Sequence, residues 1–197
     1  MIKLAFFLKN IKRKDLTNLY PGKEIVRHLG YLGNLIGKKE KNPAVVADLL
    51  ANASRRIKEG KYDDATARLY RIFELIGQTI LFLEYRLDSS DLDLDEIRNK
   101  LKDKFRNWKD VLQRDTDGKI KIGARKVYEL LDDLGHPIGK KVELFKRLLA
   151  QRNNSILAHG LVPIRKEKAK EFFEKIFELC KETFDAFELL YQKSTFP

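Results

Sequence analysis

The sequence predicts an all-α fold, arranged as a bundle of helices that run up and down. Apolar residues recur at helical spacing along most of the chain, and capping residues, prolines or glycines flank these periodic segments. We find no βαβ unit, no glycine-rich phosphate loop and no internal repeat. With 197 residues, of which 43% are hydrophobic and 35% charged, the chain can bury the core of a globular domain.

Helix boundaries in the first two thirds follow from capping and breaking residues. Asn42 and Pro43 predict a helix start, and that helix runs to about Lys58. Two aspartates favour the start of a long helix through "DDATARLYRIFELIGQTILFLEYRL". The segment "SSDLDLDEIRNKLKDKFRNWKDVL" has capping residues followed by helical periodicity, and "DTDGKIKIG" predicts a turn or loop with a short extended piece. A short helix, "ARKVYELLDDL", then ends at Gly135.

The last third predicts a linker and two further helices. "HPIGKK" is typical of a linker, which makes His136 a loop residue. A helix follows from about Lys141 to Ala158 and stops before Gly160 and Pro163. The segment "RKEKAKEFFEKIFELCKETFDAFELLYQK" predicts one long amphipathic helix. Its apolar stripe comprises Phe173, Phe177, Cys180, Phe184 and Phe187.

Positive charge is concentrated in three parts of the chain. The formal net charge is +11. Residues 1–41 and 137–170 each carry +7 and residues 100–126 carry +6, whereas the three intervening stretches are each negative. This clustering fits a polyanionic partner such as RNA or DNA. The alternative is the ordinary surface of a thermophile protein, which the abundance of lysine and glutamate also favours.

Composition argues against several classes of protein. A single cysteine, Cys180, excludes an internal disulfide, and three histidines make a zinc cluster a poor expectation. The most apolar stretch, Leu69–Leu83, is interrupted by charged and polar residues, so we expect no membrane span. The basic amino terminus has no small-residue cleavage site. We therefore expect an intracellular, cytoplasmic protein. No residue pattern in the sequence predicts a metal site or a cofactor.

One helical segment, "LLAQRNNSILAHG", places polar residues within an apolar arc. With Leu144 at zero, apolar side chains cover roughly 140° of the helix, while Arg152, His159 and Ser155 fall at roughly 80°, 60° and 20°. A buried cation with no carboxylate three or four residues away is strongly disfavoured. A shared site, a protein interface or a bound anion would resolve the conflict. The alternative is a core histidine with an arginine paired to another helix.

The same segment resembles a known family. "RNNSILAH" is similar to the R-x(4–6)-H signature of HEPN-domain ribonucleases, in which a polar residue, here Asn153, often follows the arginine. "YDDATARLYRIFELIGQ" precedes it by some 75 residues in the chain. Together they resemble the C-terminal half of the CARF–HEPN ribonucleases of type III CRISPR systems. The resemblance covers roughly residues 45–190 and implies an all-α bundle of the HEPN type.

The resemblance implies a metal-independent endoribonuclease that cleaves single-stranded RNA in CRISPR-linked antiviral defence. In that family two chains form a homodimer, and an arginine and a histidine from each meet in one composite site. Arg152, His159 and Asn153 would be the catalytic residues here, with Ser155 near them. A second polar group supports the site in this interpretation, and it consists of Arg71, Glu74 and Gln78. The alternative for this group is a solvated strip on the long helix. Separately, we expect Tyr70 and Phe73 to be core residues rather than platforms for base stacking.

Basic residues around the motif are candidates for contacts with the RNA backbone, chiefly Lys146, Arg147, Arg165 and Lys166.

We expect a basic N-terminal segment at 1–41 and a helical HEPN-like domain at 42–197, with no room for a Rossmann-like CARF domain in this chain. Activation by a cyclic oligoadenylate is therefore in doubt. Two other functions stay open, namely a non-catalytic helical RNA-binding module and a protein-interaction module.

Overall fold

The computed structural model describes residue 30 and residues 41–153 and 163–195, and over these it confirms the all-α fold. This part contains seven α-helices, two 3₁₀ helices and one isolated antiparallel bridge between Arg114 and Ile120. The α-helices are α1 (Pro43–Lys58), α2 (Tyr62–Tyr85), α3 (Leu94–Leu101), α4 (Ala124–Asp133), α5 (Val142–Asn153), α6 (Lys166–Thr183) and α7 (Phe187–Ser194). The 3₁₀ helices are Lys102–Trp108 and Pro137–Lys141.

The start of α1 is fixed by a cap that the sequence predicts. The side chain of Asn42 accepts a hydrogen bond from the backbone N–H of Ala44 at 2.9 Å, and Pro43 occupies the first turn. The asparagine satisfies an N–H that has no partner within the helix, and the proline removes another. The helix ends at Lys58, as predicted.

Helix α2 is the centre of the bundle. It contacts α1, α4, α5 and α6, and eleven of its 24 residues are buried. Asp63 and Asp64 lie in its first turn, where carboxylates favour a helix amino terminus. It ends at Tyr85, and the C-cap residue that follows, Arg86, adopts a left-handed conformation with φ of 60°. Most of the hydrophobic core is therefore built around this one helix.

Helices α2 and α4 approach each other closely at Gly77. The ring of Tyr128 on α4 stacks on Phe73 with centroids 4.2 Å apart, and its hydroxyl donates to the carbonyl oxygen of Phe73 at 2.8 Å. A Cβ added at Gly77 would lie 2.8 Å from Cε2 of Tyr128 and 3.1 Å from Cγ1 of Val127. The glycine is thus required by the packing of the two helices.

The single helix expected around residues 93–112 is shorter than the periodicity indicates. Asp93 caps α3 by accepting two backbone N–H groups at 2.9 Å, but the α-helix stops at Lys102, where φ is 51°. A 3₁₀ helix follows, in which residues three apart lie on the same edge. This geometry buries Phe105 and Trp108 together, and Nε1 of Trp108 donates to Asp133 at 2.8 Å.

The expected linker at 136–141 is in fact a 3₁₀ helix, and His136 caps it. Nδ1 of His136 accepts the N–H of Ile138 at 3.2 Å, while Nε2 lies 3.3 Å from Glu84. Ile138 and Gly139 are buried against α4. A Cβ at Gly139 would lie 2.3 Å from the backbone nitrogen of Asp132, so a side chain has no room there.

The prediction of one long C-terminal helix is wrong, because the chain turns between α6 and α7. Phe184 is extended and Ala186 is left-handed with φ of 53°. The turn buries Phe187 and returns α7 to contact α1. Of the predicted stripe, Cys180, Phe184 and Phe187 are buried in the core, whereas Phe173 and Phe177 are half-buried and pack against it. The core face of α6 comprises Ala169, Phe172, Ile176, Leu179 and Cys180.

Two other predictions concern parts of the chain that the structure describes only in part. Helix α5 is described to Asn153, so its predicted continuation to Ala158 lies outside them. Within the described ranges, no helix combines the length and the apolar character that a membrane crossing requires.

We expect Gly77→Ala to destabilise the fold, although alanine is the better helix former. The added Cβ would clash with the Tyr128 ring, and overpacking of a core costs about 1–3 kcal/mol. Chemical denaturation should show a lower free energy of unfolding. Gly123→Ser is the matched control, because Gly123 has open space around it, an N-cap position and a φ of −75°. Its stability should be unchanged or slightly higher, and equal losses in both variants would contradict the packing argument.

Candidate functional site

Helix α5 carries the first residue of the Arg–His motif. Val142 and Leu144 pack against the core, whereas Lys146 and Arg147 are exposed. At 100° per residue, position 152 lies about 120–140° around the helix from the two exposed cations. The side chains of Arg152 and Asn153 lie outside the described part, as do the whole of Ser155 and His159. Their catalytic assignment therefore stays a prediction.

The four predicted RNA-binding cations differ in their surroundings. Lys146 donates to Glu143 at 2.6 Å, and this hydrogen bond lowers the pKa of the Glu143 carboxyl. Arg147, Arg165 and Lys166 are exposed and form no ion pair with any described residue. Three of the four are thus available to an anionic ligand, whereas the charge of Lys146 is already matched by a carboxylate.

The chain that follows the motif segment is hydrogen-bonded to the start of α2. The backbone N–H of Ile164 donates to the carboxylate of Asp63, at 3.3 Å from Oδ1 and 3.4 Å from Oδ2. His159 precedes Ile164 by five residues, so chain length alone keeps their Cα atoms within about 18 Å. Asp63 therefore holds the described chain where it resumes after the motif, at Ile164.

Sequence reasoning missed this role of Asp63. The aspartate was assigned only to the start of α2, a position that Asp64 shares. Asp64 instead pairs with Arg56 at 3.2 Å and Arg68 at 3.0 Å. A contact between residues 101 positions apart leaves no local signal in the sequence.

The second predicted group does come together on α2. Nη1 of Arg71 lies 3.2 Å from Oε2 of Glu74 and 3.4 Å from Oε1 of Gln78. The hydroxyl of Tyr70 lies 3.5 Å from the other oxygen of Glu74. The side chain of Arg71 is 45% exposed and that of Glu74 21%. The group is a connected network with an accessible guanidinium, and its support of a catalytic site stays a prediction. Phe73 is fully buried, as expected of a core residue.

Two other candidate reactive side chains, those of Asp133 and Cys180, are respectively hydrogen-bonded and buried. Asp133 accepts from Trp108, and no group of three or more potential ligands among the described residues could hold a metal ion. Cys180 is a free thiol in the core, and burial raises its pKa well above the ordinary range. A buried, protonated thiol is a poor nucleophile.

Comparison with protein families decides the classification. Residues 36–183, about three quarters of the chain, match the family described as the Csm6 HEPN domain. The chain belongs to this family. This confirms the resemblance drawn from the two motifs and makes the chain a HEPN protein of the CRISPR-associated type. A search of curated proteins and a search of solved structures each find no match.

The matched region of this HEPN protein contains both predicted motifs and helices α1 to α6. It begins a few residues before the predicted domain boundary at 41/42 and ends with the last residue of α6. Helix α7 lies beyond it but contacts α1 and α6. The division of the chain at residue 41 stays a prediction.

We expect Asp63→Ala to release the backbone after the Arg–His segment. Loss of the acceptor should remove hydrogen-exchange protection from the Ile164 amide, with a cost of about 0.5–1.5 kcal/mol in stability. NMR-detected exchange would measure the protection. Asp63→Asn keeps an acceptor oxygen and should retain most of it. Asp64→Ala should leave the Ile164 amide unchanged, and an equal effect of this control would show that the contact is not specific.

Proposed function

We propose that this HEPN protein is a metal-independent endoribonuclease that cleaves single-stranded RNA in CRISPR-linked antiviral defence. The observation that carries the proposal is the position of the motif. Arg152 and His159 lie inside the region that matches the family, in the order and spacing of the HEPN signature. Helix α5, which includes Arg152, packs on α2 and α4.

We place the active site on the axis of a homodimer. The helical register predicted from the sequence puts Arg152, Ser155 and His159 inside an apolar arc, which is unfavourable in the core of an isolated chain. An interface resolves this conflict, because apolar residues of two chains bury one another while their polar residues line a shared cleft. Each chain then contributes one arginine and one histidine to a composite site.

The reaction needs no metal and no protein nucleophile. The 2′-hydroxyl of RNA attacks its own adjacent phosphate, an O2′–P bond forms, and the bond from phosphorus to the 5′-oxygen breaks. His159 removes the hydroxyl proton or protonates the leaving oxygen, and the ordinary pKa of imidazole suits either role near neutral pH. Arg152 stabilises charge on the non-bridging oxygens. The products are a 2′,3′-cyclic phosphate and a 5′-hydroxyl.

Other residues assist in this proposal. Asn153 orients groups beside Arg152. The network of Arg71, Glu74 and Gln78 holds a guanidinium on an exposed strip of α2, the helix that α5 contacts. Arg147, Arg165 and Lys166 attract the RNA backbone, since no described carboxylate pairs with them.

The same unpaired cations favour a second candidate function, a non-catalytic RNA-binding module. In that case the Arg–His pair is structural and RNA binds without being cut. Substitution separates the two functions, because loss of a catalytic group abolishes cleavage but spares binding.

We expect Arg152→Ala and His159→Ala each to lower the rate of RNA cleavage by about two orders of magnitude or more. A labelled single-stranded RNA, incubated with excess chelator, reports the rate and the cyclic-phosphate ends. A substrate with 2′-deoxyribose throughout should resist the wild-type protein, because it lacks the attacking hydroxyl.

Matched controls are Arg125→Ala and His136→Ala, with folding verified for all four variants. Arg125 is an exposed arginine paired with Glu129 at 2.7 Å, and His136 caps a 3₁₀ helix. Both controls should cut at the wild-type rate. Equal cleavage by Arg152→Ala, His159→Ala and the wild type would contradict the catalytic assignment. RNA binding with no cleavage by the wild type would favour the binding module.

A further inference from the structure

A second group of basic residues, separate in sequence from the Arg–His motif, lies on α3 and the 3₁₀ helix that follows it. Residues 98–109 contain six basic residues and one acidic residue, for a net charge of +5. Four of these cations are exposed and form no ion pair within the described residues. We call them the α3 basic surface: Lys100, Lys102, Arg106 and Lys109.

The other two cations of this stretch are already engaged. Lys104 donates to the backbone carbonyl of Asp133 at 2.8 Å, and Arg98 pairs with Asp95 at 3.3 Å and lies over the ring of Phe105. Exposed ion pairs contribute little to stability, but they neutralise a charge that an anion would otherwise meet. The unpaired members therefore carry the positive potential of this stretch.

The backbone beneath the basic surface is firmly held. Phe105 and Trp108 are 7% and 3% exposed, and the indole nitrogen of Trp108 donates to Asp133 at the end of α4. Arg106 lies in the 3₁₀ helix and Lys109 directly follows its last residue, so that three steps at the 3₁₀ rise separate their Cα atoms by about 6 Å. That distance is comparable to the step between neighbouring phosphates of an extended strand, so successive cations can meet successive phosphates.

We propose that the α3 basic surface is an auxiliary binding site for the sugar–phosphate backbone of single-stranded RNA. Phe105 and Trp108, the two aromatic residues of the 3₁₀ helix, are buried. They cannot stack on bases, so electrostatic attraction is the source of affinity at this surface. Binding here is therefore independent of base sequence and strongly dependent on salt. The inference depends on the proposed function only in taking RNA as the ligand.

Two triple variants with the same change in charge test the proposal. The first is Lys100→Ala, Arg106→Ala and Lys109→Ala. The control is Lys119→Ala, Lys121→Ala and Arg125→Ala, whose cations pair with Asp91 at 3.3 Å, with Asp117 at 2.5 Å and with Glu129 at 2.7 Å. All six residues are exposed and lie in the basic region 100–126.

The probe is a fluorescent single-stranded RNA with every 2′-hydroxyl methylated, which cannot be cut by the proposed reaction. Binding is measured by anisotropy over a series of salt concentrations. Three lost phosphate contacts should make the slope of log affinity against log salt shallower by about 2, with a loss of affinity of about tenfold or more at low salt. The control triple variant should retain most of the affinity and most of the salt dependence of the wild-type protein.

Three results would overturn the proposal: equal changes in both triples, which would show an effect of net charge alone; no change in the first triple; or no binding by the wild-type protein. The test is independent of cleavage. If Arg152→Ala and His159→Ala cut RNA normally while the first triple binds weakly, the catalytic assignment fails and the auxiliary site stands.

Discussion

The burial of α2 is the constraint on which the rest of the structure depends. Four helices contact this helix, and its approach to α4 is close enough that position 77 has no room for a side chain. A helix enclosed in this way can carry charged side chains only where no neighbour covers it. The network headed by Arg71 occupies such a strip, and Asp63 at the amino-terminal end holds the chain that returns after the Arg–His segment.

Local signals in the sequence were reliable where a helix boundary depends on its own neighbours. Asn42 caps α1 and Gly135 follows α4 with a positive φ, both as predicted. The errors arose where tertiary packing decides the backbone. The turn before Phe187 and the 3₁₀ helix containing Trp108 each place an aromatic side chain in the core. Helical periodicity describes the residues that are apolar but not the direction in which the chain must turn to bury them.

In the candidate site, too, the sequence predicted contacts within one helix and missed contacts between distant parts of the chain. Residues 71, 74 and 78 lie within two turns of one helix, so periodicity alone could bring them together. The exposure of Lys146 and Arg147 likewise follows from the register of α5. The contact between Asp63 and Ile164 joins two distant parts of the chain. The pairing of Lys146 with Glu143 offsets a positive charge, which a count of charges along the sequence does not reveal.

The register of α5 has a consequence for how a HEPN protein of this kind would handle RNA. Its exposed cations lie about 120–140° around the helix from position 152, so one strand cannot follow both by running straight along the helix. Under the proposed function, RNA attracted by Arg147 must bend around α5 before a phosphate meets Arg152. Binding and chemistry would then be carried by different faces of the domain. Affinity would respond to salt and surface charge, whereas the chemical step would respond to how the two chains of the proposed homodimer align their histidines.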